Sequence, residues 1–459
     1  MSTLPVVVIG AGPVGLAAAA HLHERGLPFT VLEAGDGPAA AVRQWGHVRL
    51  FSPWRYDIDA AARRLLAETG WVEPDPERLP TGGELAAGYL QPLAGLPALK
   101  PHVRYGARVV AVTRLGLDRL RTAGRESAPF LVRLADGTDL LARAVIDASG
   151  TWSTPNVLGA SGIAAHGEAR AAAFVEHALP DVLGVDRDRF AGARTLVVGA
   201  GHSAANTLLV LAALADEVPG THVTWAIRAA TPARTYGGET ADALPARGAI
   251  GTRLREHVEA GRIELITGFS ADTLTVLPGG GVEVTDGIRA VVVDRIVSAT
   301  GFRPDHGFVS ELRLDLDPIL GSTRALAPLI DPNEHSCGTV PPHGADELTH
   351  PEPGFYAIGV KSYGRAPTFL LATGYEQARS VVAALAGDWA AARDVQLDLP
   401  ETGVCSSDLV IGEESPSAGG CCGTAAATVP AGHGLLSAPL TLVPVSRAAA
   451  SEQAGGCCG

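Results

Sequence analysis

The sequence predicts an α/β protein with two parallel β-sheets, because one pattern of strand, glycine-rich turn and helix occurs twice in its 459 residues. In the first copy, a β-branched run at 6–9 leads into Gly-Ala-Gly-Pro-Val-Gly at 10–15 and then into an alanine-rich helical stretch. In the second copy, a strand at 195–198 leads into Gly-Ala-Gly-His-Ser-Ala at 199–204 and an apolar helix. Each copy is typical of a βαβ unit in a three-layer, Rossmann-like domain.

The first turn has a separate requirement for each of its glycines. Gly10 permits a tight turn, Gly12 lets the backbone approach a diphosphate, and Gly15 lets the helix pack closely on the sheet. The helix N-terminus then faces the diphosphate. The next strand, at 29–32, ends in Glu33, whose carboxylate can accept hydrogen bonds from the hydroxyls of an adenosine ribose. Together these features predict dinucleotide binding, against the alternative of an ordinary glycine-rich turn.

The second turn differs at the residue that closes its βαβ unit. The strand at 223–227 is followed by Arg228 and not by an acid. A guanidinium can hold a 2′-phosphate through two hydrogen bonds, so this residue favours NADPH over NADH. Arg234 can share the phosphate, while either arginine can equally be a solvated surface charge. The residues expected to contact the nucleotide in the turn are Gly199, Gly201, His202, Ser203 and Ala204.

Two further strands, at 144–146 and 295–298, run into Gly150 and Gly301. At these points the chain has to leave one domain and cross to the other without a side chain blocking the cofactor. The predicted boundaries are 1–160 for the first part of the first domain, 161–190 for a linker, 191–290 for the second domain, 291–395 for the second part of the first domain and 396–459 for a flexible tail.

Composition and charge exclude several classes of partner. The formal net charge is −13 at pH 7 and the sequence has no basic cluster, so neither nucleic acid nor an anionic membrane is expected to bind. No apolar run reaches the roughly 18 residues that a membrane-spanning helix requires. The first residues carry no positive charge ahead of their apolar run, unlike a signal peptide. These features predict a cytoplasmic enzyme with a small-molecule substrate.

The six cysteines are confined to the end of the chain, and none precedes Cys337. A disulfide framework therefore cannot hold the body of the protein together. The pentapeptide Gly-Gly-Cys-Cys-Gly occurs twice in the tail, at 419–423 and 455–459. Adjacent thiolates can capture a soft metal or metalloid ion, can relay electrons, or can belong to an inert tail. The candidate ligands of a soft ion are Cys421, Cys422, Cys457 and Cys458.

In order and spacing, the two turns and the two crossings resemble the flavoproteins with two dinucleotide-binding domains, over about residues 4–390. The resemblance implies FAD in the first domain and NADPH in the second, which is inserted into the split first domain. Two branches of that group carry a CxxC or a CxxxxC motif beside the flavin, and this chain has neither. Further cofactor contacts implied by the resemblance are Pro13, Val109, Ala148, Gly150, Gly301 and Gly359.

Four segments are more similar to the flavin-containing monooxygenases. They are Arg-Gln-Trp at 43–45, the second turn, Ala-Thr-Gly-Phe-Arg-Pro-Asp at 299–305 and Tyr-Glu-Gln-Ala-Arg at 375–379. The similarity implies that Gln44 and Trp45 touch FAD, and that the last long helix, with Gln377 near its start, directs its dipole at the flavin. The FxGxxxHxxxW fingerprint is absent between the two turns, which argues against Baeyer–Villiger chemistry.

The segment 353–370 resembles flavoproteins encoded beside bacterial arsenic-resistance genes. That resemblance places Lys361, Tyr363 and Arg365 near the flavin edge, where a cation can stabilise reduced flavin or orient an oxyanion; the alternative is an ordinary loop. The leading hypothesis is an NADPH-dependent FAD monooxygenase that acts on a trivalent arsenical captured by the tail. The alternatives are a thiol or metal reductase with Cys457 and Cys458 as relay, and a metalloid-binding sensor with a structural flavin. The sequence leaves open whether the chain forms a homodimer.

Overall fold

The computed structural model describes residues 4–237, 244–334, 340–367 and 369–397. The strands are β1 (Val6–Ile9), β2 (Phe29–Leu32), β3 (Val103–Arg104), β4 (Val109–Arg114), β5 (Phe130–Leu134), β6 (Asp139–Ala142), β7 (Ala144–Asp147), β8 (Val175–His177), β9 (Arg194–Val198), β10 (His222–Ala226), β11 (Glu264–Ile266), β12 (Thr273–Val276), β13 (Val282–Thr285), β14 (Ala290–Val293), β15 (Arg295–Ser298) and β16 (Phe355–Ala357).

The α-helices are α1 (Pro13–Glu24), α2 (Ala40–Gln44), α3 (Trp54–Asp57), α4 (Ala60–Ala67), α5 (Gly82–Leu85), α6 (Gln91–Gly95), α7 (Arg187–Phe190), α8 (His202–Glu217), α9 (Ala233–Tyr236), α10 (Pro245–Glu259), α11 (Ala327–Ile330), α12 (Leu371–Leu385) and α13 (Trp389–Arg393). Shorter helical turns lie at Ala86–Leu90, Lys100–His102, Ala172–Phe174, Gly307–Val309 and Gly359–Tyr363. Among the described residues, no helix is long and apolar enough to cross a membrane.

The first sheet is parallel, with the strand order β16-β7-β1-β2-β3. Its central strand β1 is a run of four apolar residues that are all buried, as is typical of a parallel strand covered on both faces. Helix α1 packs against α12, and the small alanine side chains of α1 allow this close approach. The sheet and these helices form two layers of the first domain.

The second sheet is also parallel, with the strand order β11-β10-β9-β15-β8. Within it, Val297 of β15 pairs with Val197 of β9 on one side and with Glu176 of β8 on the other. The sequence-based boundaries placed β8 in a linker and β15 in the second part of the first domain. The pairing instead places both strands in the second domain, because the apolar side chains of β15 are buried in that sheet.

Each parallel sheet is covered on its other face by a three-stranded antiparallel sheet. The strands β4-β5-β6 share a hydrophobic core with the first sheet, through Val132 against Val7 and Val145. The strands β12-β13-β14 share one with the second sheet, through Val284 and Leu196. Helices, a parallel sheet and an antiparallel sheet make three layers in each domain, so the predicted α/β class with two Rossmann-like domains is confirmed.

The two segments that connect the domains run beside each other. Pro155 forms an antiparallel bridge with Phe302, and the amide of Asn156 donates a 2.9 Å hydrogen bond to the carbonyl of Gly301. Gly150 and Gly301 have φ angles of +70° and +88°, which side chains rarely tolerate. The predicted crossings therefore exist and form a paired connection.

Candidate cofactor-binding site

The first glycine turn lies at the carboxyl ends of β1 and β7. Gly10 has a φ of +102°, and a Cβ there would lie 2.6 Å from the carbonyl oxygen of Ala148. A Cβ on Gly15 would lie 2.0 Å from the carbonyl oxygen of Gly10, so the helix and the turn are in backbone contact. Gly12, the residue before α1, has nothing within 4 Å of its Cβ position. This open space at a helix N-terminus fits a diphosphate.

The carboxylate of Glu33 is oriented toward this turn by two backbone amides. Ala11 donates a 2.7 Å hydrogen bond to Oε2, and Gly35 donates a 2.8 Å hydrogen bond to Oε1. Each carboxylate oxygen has a second lone pair that can accept a hydrogen bond from a ribose hydroxyl. Glu33 therefore lies beside the first glycine turn, and ribose binding by its carboxylate stays a prediction.

A cavity of about 340 Å³ is lined by Pro38, Arg43, Lys100 and Tyr105, among other residues. Burial raises the pKa of the Tyr105 hydroxyl, and the negative charge of Glu33 adds to this increase. The charge of Glu33 therefore acts on one wall of this cavity.

The second glycine turn repeats the geometry of the first. Gly199 has a φ of +139°, and a Cβ there would lie 2.1 Å from the carbonyl oxygen of Ala299. Gly201, which precedes α8, has nothing within 4 Å of its Cβ position. His202 is exposed and its ring centre lies 5.1 Å from that of Phe51, a residue of the first domain. Ala204 differs from the other predicted contacts because it is fully buried in the core of the second domain.

Arg228 follows β10 and is exposed at the end of the second sheet. One guanidinium nitrogen donates a 3.1 Å hydrogen bond to the carbonyl of Ala160, which leaves most of its donors open. Arg234 donates a longer bond, 3.4 Å, to the carbonyl of Pro332. The exposed guanidinium of Arg228 is available for a 2′-phosphate.

Gln44 and Trp45 occupy different environments. The Gln44 side-chain oxygen accepts a 2.8 Å hydrogen bond from the indole of Trp152, and that indole stacks on Phe302 at 5.0 Å. The Trp45 ring packs so closely on Gly82 that a Cβ there would lie 2.6 Å from it. The sequence analysis does not single out Trp152 or Phe302. The available signal is an aromatic residue shortly after each of Gly150 and Gly301.

Gln377, which the resemblance places near the start of the helix directed at the flavin, is buried. Its side chain is fully buried in α12, where its oxygen accepts a 2.7 Å hydrogen bond from the amide of Gly359. Its nitrogen lies 2.9 Å from both Ser362 Oγ and His343 Nε2. Gln377 therefore positions the backbone at Gly359, whose φ is +74° and whose Cβ position lies 3.4 Å from Val14 of α1. Val109, also predicted as a contact, is a half-buried residue at the start of β4.

Lys361, Tyr363 and Arg365, which the resemblance places near the flavin edge, differ in their exposure. Lys361 is only 1% exposed, and its Nζ lies 2.6 Å from Oδ2 of the fully buried Asp147. Tyr363 is also buried, and burial raises the pKa of its hydroxyl. Arg365 is exposed. The sequence does not predict that Lys361 pairs with Asp147. The available signal is the position of Asp147 as the acidic residue that ends a buried strand.

All six cysteines, including the proposed ligands Cys421, Cys422, Cys457 and Cys458, lie outside the described residues. Within the described ranges, no group of three histidine, cysteine, aspartate or glutamate side chains is arranged to hold a metal ion. The tail predictions stay predictions from sequence.

A family model described as pyridine nucleotide-disulphide oxidoreductase matches residues 7–320. A curated relative, the indole-3-pyruvate monooxygenase YUCCA1 of Oryza sativa subsp. japonica, is 33% identical over 201 residues, which are 43% of this chain and 42% of that protein. This chain thus aligns with less than half the length of that relative.

Solved structures share the fold over most of the chain. The bacillithiol disulfide reductase Bdr of Bacillus cereus matches with a TM-score of 0.62 at 19% identity, over 84% of this chain and 99% of that one. The cadaverine monooxygenase DfoA of Erwinia amylovora, bound to FAD, matches with a TM-score of 0.58 at 15% identity, over 87% and 97%. A flavin monooxygenase mutant from Stenotrophomonas maltophilia matches with a TM-score of 0.53 at 23% identity, over 84% and 99%. Reductases and monooxygenases both occur on this fold.

Proposed function

This chain belongs to the pyridine nucleotide-disulphide oxidoreductase family, and from that membership we propose that it is an FAD-dependent oxidoreductase that takes electrons from NADPH. FAD is its cofactor at the first glycine turn, and NADPH binds at the second. The observation that carries this assignment is the repeated geometry of the turns. In both, the glycine before the helix, Gly12 or Gly201, has open space at its Cβ position and the first glycine contacts a neighbouring strand end.

The residues of the chain bind and orient the two nucleotides. When bound, FAD supplies the transfer of electrons from NADPH to an acceptor. The Glu33 carboxylate accepts hydrogen bonds from the adenosine hydroxyls of FAD, and the guanidinium of Arg228 donates hydrogen bonds to the 2′-phosphate of NADPH. The stack of Trp152 on Phe302 joins the two crossing segments, so it holds the first domain in register with the second.

The acceptor is molecular oxygen together with a soft nucleophile. A dithiol relay within the first 336 residues is excluded because that part of the chain contains no cysteine. One NADPH, one proton and one O₂ would then convert the nucleophile to its oxide, with NADP⁺ and one water as the other products. The protein contributes positioning and the exclusion of water from the reacting groups.

The substrate class we propose is a trivalent arsenical or another thiophilic species. Support comes from sequence alone: the resemblance of segment 353–370 to flavoproteins encoded beside arsenic-resistance genes, and the repeated Cys-Cys pairs of the tail. Adjacent thiolates prefer soft acceptors, so the tail would capture the arsenical and raise its concentration near the flavin.

The test measures NADPH oxidation by the purified yellow protein with and without a trivalent arsenical, in air and under anaerobiosis. The full chain is compared with a variant in which Cys421, Cys422, Cys457 and Cys458 are all replaced by serine. Arsenical-stimulated turnover that requires oxygen is expected, with a higher KM but a similar kcat in the serine variant.

Other results would favour the alternatives. Anaerobic turnover with a disulfide or metal acceptor, lost in the serine variant, would replace oxygen transfer by a thiol relay. Arsenite binding without NADPH turnover in either atmosphere would make the protein a metalloid sensor. A protein that binds no FAD would refute the assignment of the first turn.

A further inference from the structure

A buried ion pair lies at the carboxyl edge of the first sheet. The Nζ of Lys361 is 2.6 Å from Oδ2 of Asp147, and the two side chains are 1% and 0% exposed. The other carboxylate oxygen of Asp147 accepts hydrogen bonds from the amide and the hydroxyl of Ser149, at 3.1 and 2.6 Å. Lys361 also donates a 3.0 Å hydrogen bond to the Ser149 hydroxyl. Neither nucleotide-binding turn contains these residues, so the function proposed above gives them no role.

The pair joins two segments that contact the first glycine turn. Asp147 ends β7 and is followed by Ala148, whose carbonyl oxygen is in backbone contact with Gly10. Lys361 follows Gly359, which lies against Val14 in the first turn of α1. Ser149, bonded to both charges, is itself exposed at this edge. One hydrogen-bonded residue therefore separates the buried charges from the open edge where the first nucleotide is expected.

The imidazole of His306 and the ring of Phe308 lie near Lys361. Burial lowers the pKa of His306, and the positive charge of Lys361 lowers it further. Burial lowers the pKa of His350 to about 4. Both imidazoles are therefore neutral at pH 7, and the ring of Phe308 covers Nζ at 4.5 Å. Asp147 and Lys361 balance each other, and removing either one leaves a single unscreened charge.

We propose that Asp147 and Lys361 are positioning residues that set the affinity and the reduction potential of the flavin at the first turn, an inference that rests on the proposed function. The pair holds the ends of the two segments that contact the turn, so its loss displaces the site. Its charges are buried and act on a group that gains electrons on reduction. A lone positive charge there favours reduction and a lone negative charge opposes it.

The experiment compares Lys361→Gln, Asp147→Asn and the double variant, each of which keeps hydrogen-bonding groups at the site. Glu352→Gln is the matched control, because Glu352 forms buried ion pairs with Arg114 and Arg125 at the opposite end of β16. The flavin midpoint potential is measured by spectroelectrochemistry and the FAD dissociation constant by fluorescence titration. Each variant is compared with the wild type at the same pH.

The two single variants are expected to shift the potential in opposite directions, to more negative values for Lys361→Gln and to more positive values for Asp147→Asn. Each should weaken FAD binding about tenfold or more, and the double variant should recover most of both losses, because a neutral pair leaves no buried charge. Glu352→Gln is expected to lower the thermal midpoint without moving the potential.

Three outcomes would overturn the inference. They are potentials that move in the same direction in both single variants, potentials that do not move, and a shift as large in Glu352→Gln. All three require flavin-loaded protein, so they leave the proposed function in place. A wild-type protein that binds no FAD would overturn the proposed function, and the inference with it.

Discussion

The two glycines Gly12 and Gly15 lie in the same turn, but substitution of each by alanine is expected to have a different effect. At Gly12 the backbone is extended, with a φ of −78°, and nothing lies within 4 Å of a Cβ, so the folded chain accommodates a methyl group. At Gly15 the methyl carbon would lie 2.0 Å from the carbonyl oxygen of Gly10. Backbone atoms cannot rotate away, so helix α1 has to shift from the sheet.

The expected magnitudes follow from these distances. Gly12→Ala changes a helix N-cap and should alter the free energy of unfolding by about 1 kcal/mol or less. The methyl group would occupy the space that a diphosphate needs, and each charge-assisted hydrogen bond that is lost weakens FAD binding by roughly tenfold or more. Gly15→Ala overpacks a backbone contact and should cost about 3 kcal/mol or more.

The assay separates the two effects in one preparation. Thermal unfolding of the flavin-free protein reports stability, and titration with FAD reports binding. Gly12→Ala should unfold near the wild-type temperature and bind FAD poorly, while Gly15→Ala should unfold several degrees lower. Equal loss of stability in both variants, or wild-type FAD affinity in Gly12→Ala, would refute the assignment of the open space to the diphosphate. Gly201→Ala is the counterpart in the second domain and should retain FAD while losing reduction by NADPH.

Two further predictions concern charge. Arg228→Gln should raise the KM for NADPH roughly 10- to 100-fold and leave the KM for NADH unchanged, because it removes a charge-assisted clamp worth about 1.5–3 kcal/mol. Equal effects on the two nucleotides, or a matching effect of Arg234→Gln, would contradict this prediction. Burial raises the pKa of Asp57 from 3.8 to about 7, against a 2.8 Å hydrogen bond from Ser52 that lowers it. The folded state therefore binds the extra proton, so this residue stabilises the fold below about pH 4 and the contribution is lost as the pH rises to about 7. A pKa difference of this size corresponds to roughly 4 kcal/mol. The free energy of unfolding of Asp57→Asn, measured by chemical denaturation, should therefore depend less on pH between about pH 4 and pH 7 than that of the wild type. The same pH dependence in both proteins would contradict the raised pKa of this carboxyl group.

Much of the fold could be predicted because the signals are local. The strand before each turn is an apolar run, and each first glycine has a positive φ that other residues avoid, so Gly10 and Gly199 are visible without knowledge of any partner. The strands β8 and β15 show the limit of such reasoning. The sequence predicts β15 as a strand but leaves β8 in a linker, because the sheet that receives each strand depends on pairing with residues far along the chain.

The sequence by itself determined the two nucleotide-binding turns, Glu33 and Arg228 at their strand ends, and the absence of cysteine from the first 336 residues. Only the tertiary structure decided the roles of Lys361 and Gln377. In the sequence, Lys361 is a cation in a loop with no evident partner. In the folded chain it donates a hydrogen bond to Ser149, which is 212 residues away in the sequence. A side chain's charge is a property of its residue type, whereas its burial and its partner depend on segments that folding brings together.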